Sequence, residues 1–189
     1  MPPEDSLPPK VDPRVRSVVI YFAYRNPYPL PSTRLMKLAY LAELRAVESW
    51  GHRLTNADFI HWNYGPFSRD VALAMEGVPE LRMEFKQSPR GTGKFLLPAQ
   101  KKVKVNLTKD EMTMLESVLR DWQHVDSERL IAETKRSPPF VWTEFGDPIP
   151  FERYSKFVGR MVKARNNELG KAVAVLETDA DVARFVKEL

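Results

Sequence analysis

Apolar residues recur at helical spacing almost from the start of the chain. Val15, Val18, Val19 and Phe22 fall on one face of a helix over Arg14 to Arg25. Asn26-Pro-Tyr-Pro-Leu-Pro31 ends it, because consecutive prolines cannot continue a helix. Ser32 is placed to cap a second helix running to Trp50, with Gly51 where a left-handed cap is common. On its wheel Arg34, Lys37, Arg45 and Glu48 share a narrow polar arc, opposite Leu35, Met36, Ala39, Tyr40, Ala42, Ala46, Val47 and Trp50. This pattern predicts the central helix of the fold. Glu43 breaks it: the carboxylate falls in the middle of the apolar face, where an unpaired charge is expensive.

Downstream the period changes. Asp58 to Tyr64 is rich in aromatic and branched residues and predicts a strand that stops at Gly65-Pro66. Pro66 suits the first position of a short helix carrying Phe67, Val71, Ala74 and Met75 and closing at Gly77. Met83 and Phe85 alternate with Glu84 and Lys86, and Pro89-Arg-Gly-Thr-Gly93 supplies a turn before Lys94 to Leu97, which together predict a β-hairpin. Thr108 and Glu111 form a capping box, so a helix begins there with Met112, Leu115, Leu119 and Trp122 as its core face. Another begins near Asp126, carries Leu130 and Ile131, and halts at Ser137-Pro-Pro139; Phe140 to Pro150 then reads as a loop. The last forty residues predict two helices, one with Phe151, Tyr154, Phe157, Val158 and Met161, broken at Gly170, and one after Thr178. The fold class that follows is α+β and mainly α-helical, a helical core with a small antiparallel sheet or hairpin. Residues 1–13 hold five of the sixteen prolines and read as an extended tail, 14–149 as one domain, and 150–189 as a helical extension packed on it.

Composition removes several chemistries. With 43% hydrophobic and 29% charged residues the chain is an ordinary globular one. The absence of cysteine rules out disulfides, thiolate metal sites and a cysteine nucleophile. His52, His61 and His124 have no metal-ligand spacing, so no metal or cofactor is expected. No apolar run approaches the ~20 residues needed to span a bilayer, and the first residues lack the pattern of a secretory signal, so a cytoplasmic protein is expected. The net charge of +4 is unevenly spread: Arg82, Lys86, Arg90, Lys94, Lys101, Lys102 and Lys104 stand against Glu84 alone. Segment 82–104 therefore carries +6 and the remainder −2. The Gly-x-Gly within it lacks the surroundings of a phosphate-binding loop and reads as a turn.

Few single residues invite a functional reading. Glu43 is expected to be a buried acid hydrogen-bonded by Tyr64, Trp62, His61 or Arg69; the sharper alternative is an acid of raised pKa in a pocket. Without a paired acid, nucleophile or metal, no catalytic residue is assigned. Tyr64-Gly65-Pro66 is a strand-to-helix corner. Trp62 is core or an interface anchor, with core favoured. The basic hairpin is a solvated edge, a track for nucleic acid, or a surface for an acidic protein, and Arg82, Lys86, Arg90 and Lys94 are its candidate partner-binding residues.

Two stretches are more specific than these generic patterns. Leu35-Met36-Lys37-Leu38-Ala39-Tyr40-Leu41-Ala42-Glu43, followed by Tyr64-Gly65-Pro66, resembles the Panacea domain of the SocA-like antitoxin family. The resemblance covers about 14–140 and rests on Leu35, Lys37, Leu38, Tyr40, Glu43, Tyr64, Gly65 and Pro66. Ala39 stands where a larger aliphatic residue is usual, and Lys135 where histidine is expected. The resemblance implies a bacterial or phage-associated, non-enzymatic protein that neutralises a toxin, usually encoded beside it, by direct contact; self-association is left open. The rival reading is a nucleic-acid-binding protein that uses the hairpin 82–104.

Overall fold

The computed structural model describes residues 11–88 and 91–178. Helix α1, Pro13–Arg25, begins one residue earlier than its apolar spacing predicts. Asp12 caps it by accepting from the backbone N–H groups of Arg14 and Val15, and Pro13 occupies the first turn. These two residues, assigned to the tail because of the proline content, thus form the helix start. Strand β1, Leu30–Pro31, leads directly into α2, Ser32–Trp50. Pro31 is the N-cap and makes no side-chain cap, so Ser32 is the first helical residue and not the capping one. Gly51 ends α2 in the left-handed region at φ 75°, as expected.

The other elements are α3, Arg69–Gly77; β2, Leu81–Ser88; β3, Gly91–Pro98; α4, Lys109–Trp122; α5, Ser127–Arg136; α6, Pro138–Val141; and α7, Phe151–Thr178. The three strands form one antiparallel sheet in the order β1-β3-β2, with Leu30 opposite Leu96 and Met83 also opposite Leu96. A mainly helical α+β fold is therefore observed. The capping box of Thr108 and Glu111 starts α4, and Asp126 caps α5. The buried face of α4 is wider than its single predicted stripe: Met114 and Val118 join Leu115 and Leu119, because the helix packs against both α1 and α2.

Helix α2 is the axis of the molecule, and the first half of its polar arc is not a solvated face. Arg34 and Lys37 are buried. The Arg34 guanidinium donates to the carbonyls of Trp122, the last residue of α4, and of Val125 just beyond it. Arg45 pairs with Asp121 of α4 at 3.0 Å, and Glu48 accepts from the Tyr154 hydroxyl of α7 at 2.5 Å. Arg34 and Arg45 thus tie down α4, and Glu48 ties down α7. On the other face Tyr40 meets Phe59 and Phe151 with ring centroids 5.5 and 5.9 Å away, and shares a 2.8 Å hydrogen bond with Ser137.

Four further sequence expectations need correction. Asp58 to Tyr64 is not a strand; it is extended chain held by bridges of Ile60 to Phe67 and to Pro148. Its aromatic residues mimic a strand because Phe59 must fill the core, but the pairing available is too short for a ladder. Helix α3 starts at Arg69, capped by Ser68, and not at Pro66, whose carbonyl is used elsewhere. After α5, Pro138 initiates the short α6 where a loop is expected, proline being well suited to a first helical turn. At the other end of the chain α7 runs continuously through Gly170 to Thr178, so a glycine in that position does not divide it. The helix expected after Thr178 lies outside the described residues.

Candidate partner-binding groove

Between Ile60 and Phe67 the chain turns back on itself. Ile60 and Phe67 exchange both backbone hydrogen bonds, at 2.8 and 3.0 Å, and Gly65 N–H closes an inner turn on the Trp62 carbonyl at 2.9 Å. Gly65 has φ +85°, a region costly for other residues. A Cβ there would also stand 3.1 Å from Thr134 Oγ1 and 3.4 Å from Lys37 Nζ. The glycine is thus required twice, for the turn and for close docking on α5. The loop throws Trp62, Asn63 and Tyr64 outward.

This loop forms one wall of a groove of about 400 Å³. The first turns of α2 supply Ser32, Thr33, Met36 and Lys37; the loop supplies Trp62, Tyr64, Gly65 and Phe67; α3 supplies Ala72, Met75 and Glu76; the sheet supplies Met83 and Lys94. Lys37 is the unusual member. Only 3% exposed, it donates from Nζ to the Pro66 carbonyl at 2.7 Å, and among the described residues no carboxylate pairs with it. Burial, with repulsion from Lys135, pushes its pKa down to about 7. Lys94 instead pairs with Glu76 at 3.1 Å on the rim.

The residues singled out from the sequence separate into distinct places. Leu35, Leu38 and Tyr40 are fully buried core. Lys37, Tyr64 and Gly65 line the groove and Pro66 binds its lysine, so the two halves of the motif meet in space. Glu43 is buried away from the groove. It accepts from the backbone N–H groups of Leu54 and Thr55 at 3.0 and 3.1 Å and from the Thr55 hydroxyl, and Arg53 lies 3.5 Å away. The expected partners Tyr64, Trp62, His61 and Arg69 are therefore incorrect: the acid organises the loop after Gly51. Burial pushes its pKa up, opposed by Arg53 and by those hydrogen bonds.

Trp62 is 43% exposed and stacks on Phe145 with centroids 4.9 Å apart, so the core assignment gives way to a surface one. Of the hairpin cations, Lys94 reaches the groove, Arg82 faces Glu84 at 3.4 Å, and Lys86 sits over the Phe95 ring at 5.2 Å; Arg90 lies outside the described residues. Sequence reasoning missed Met36, Glu76 and Phe145 as parts of this surface. Met36 and Glu76 carry ordinary helical signals, and Phe145 sits in an aperiodic stretch where only its aromatic character marks it.

The model of one protein family, described as antitoxin SocA-like, Panacea domain, matches residues 35–143, more than half of the chain. The chain belongs to this family. No curated protein and no solved structure matches it. The matched stretch runs from α2 past α6 and includes the whole groove wall of residues 62–67. In this Panacea domain α1 and the first turns of α7 lie outside the match yet are built into the core, through Phe22, Phe151 and Tyr154 among others. Among the described residues no helix is long and apolar enough to cross a membrane.

Proposed function

We propose that this chain is a cytoplasmic antitoxin that neutralises a cognate toxin by direct contact and performs no covalent chemistry. Family membership supports the class. The observation that carries the contact reading is the exposed Trp62–Phe145 stack, continued by Tyr64, along the rim of a groove built from the family motif. Exposed aromatics beside a preformed depression are the usual anchors of a protein interface. The test is to express the neighbouring reading frame alone and together with this chain. Growth arrest that the chain relieves, with relief lost in Trp62→Ala at unchanged thermal stability, is the expected result; no arrest, or no relief, overturns the reading.

A second reading, nucleic-acid binding, draws less on the hairpin, whose Arg82 and Lys94 are engaged by acids. It draws more on a groove of about 1140 Å³ along α7, lined by Arg53, Arg153, Lys156, Arg160 and Lys163 with Glu152. It predicts salt-sensitive association with DNA or RNA. A nuclease-treated preparation that binds neither at low salt removes it.

A further inference from the structure

Lys37 sets a chemical problem that the fold does not solve. An ammonium has three donors, and burial without an anionic partner is costly. Here one hydrogen bond to the Pro66 carbonyl is formed, and a second cation, Lys135, repels the amine. Among the described residues the carboxylate lining the groove is Glu76, and it is bonded to Lys94 on the rim. Met36, Phe67, Met75 and Met83 give the groove a largely apolar lining, with the exposed Trp62 and the polar Ser32, Thr33 and Tyr64 beside them. A buried amine lining a largely apolar slot, repelled by a like charge, is complementary to a carboxylate carried next to an apolar residue. An extended phosphate backbone would fit it poorly, because the slot offers a single deep donor rather than a line of exposed ones.

We propose that the groove receives an acidic side chain, Asp or Glu, of the toxin, its carboxylate accepting from Lys37 Nζ while an adjacent apolar side chain rests on Met36, Phe67 and Trp62. This rests on the antitoxin reading for the identity of the partner, and on the groove alone for the chemistry. The carboxylate replaces water and leaves Lys37 fully protonated, so binding takes up a proton at and above neutral pH. Affinity consequently falls as pH rises from 7 to 9, up to about tenfold per unit. The charged and titratable groups around Lys37 are Lys135 on α5, Glu76 on α3, Lys94 on β3 and Tyr64 on the loop. A Lys37→Met variant separates its contribution from theirs.

The experiment pans a random heptapeptide library, displayed without free C-termini, against the full chain, and then measures capped synthetic versions of the enriched peptides. Enrichment of Asp or Glu beside an aromatic or aliphatic residue is expected. Binding should weaken at least tenfold when that acid becomes its amide, or when Lys37→Met is the target, and should weaken from pH 7 to pH 9 with the wild type only. In the unmutated protein, lysine ¹³Cε resonances report Lys37 directly, and its signal should move to the protonated position when peptide is added. Enriched peptides without an acid, equal binding by folded Lys37→Met, or a Lys37 resonance indifferent to peptide overturns the inference. So does a second library with free C-termini if it alone yields binders, which would make the ligand a chain terminus. Failure of the chain to relieve any toxin while acidic peptides still bind overturns the antitoxin reading alone. Relief that survives in Lys37→Met, without peptide selectivity, overturns this inference alone.

Discussion

Two buried charges on one helix have opposite fates. Glu43 is surrounded by donors: two backbone N–H groups, a hydroxyl and a guanidinium converge on it from residues 53–55. Truncation to alanine strands those donors and leaves a cavity, so Glu43→Ala is expected to cost about 3–5 kcal/mol in urea unfolding. A loss under about 1 kcal/mol would mean the loop after Gly51 is held by something else. Lys37 donates to the Pro66 carbonyl and has no counter-charge among the described residues, and its pKa falls from 10.5 to about 7. Between those values the unfolded chain holds a proton that the folded chain has released. Stability therefore rises with pH across that window, by about 1 kcal/mol per unit from this group. Lys37→Met lacks the contribution, so its stability relative to wild type should be greatest near pH 7 and shrink toward pH 9 in paired urea titrations; a constant difference would show that Lys37 keeps its proton. That Glu43 needed a partner was legible from its place on the apolar face. Which partner was not, since Arg53-Leu-Thr55 shows no periodicity to locate it.

Elements repeat this division between what local pattern encodes and what only packing reveals. Caps and breakers were readable: the capping box at Thr108 and Glu111, the Gly51 cap and the proline stop after α1 all act within a few residues. The polar arc of α2 was not, because burial of Arg34 and Lys37 depends on α4, α5 and the 62–67 loop closing over them from distant sequence. The 58–64 segment was misread because composition reports that Phe59 is buried and not whether a neighbouring strand exists to pair with. Gly65 shows a short motif acting as a structural element. An alanine there must adopt a left-handed backbone and press a methyl against Thr134 and Lys37. Gly65→Ala is expected to lower stability by about 1–3 kcal/mol and to disturb the groove, so the Trp62 and Tyr64 amide resonances should shift far more than those of α1. Shifts spread evenly over the molecule would contradict that placement.

At the scale of the molecule, anchored and projecting parts meet within α7. Its first turns are core, with Phe151 and Tyr154 buried and Trp142 packed edge-on to Phe157 at 5.4 Å. From Gly159 to Leu169 every residue is exposed, and Met161, Val162 and Leu169 present apolar surface at 58, 49 and 54% exposure. Apolar spacing places the start of this helix, but Gly170 does not end it, and neither signal shows whether anything covers it. Side chains this open contribute little to folding, and lysine is at least as good a helix former as valine. Met161→Lys and Val162→Lys are therefore expected to change unfolding free energy by less than about 0.5 kcal/mol each, read by thermal and urea melts across a range of protein concentrations. The core-facing control Tyr154→Ala, which removes a buried ring and the bond to Glu48, should cost several times more. Destabilisation above about 1 kcal/mol by either lysine, growing with protein concentration, would place a second copy of the chain on this face. Absence of such a dependence would leave the face open to a different polypeptide, some distance along the chain from the groove at the family motif.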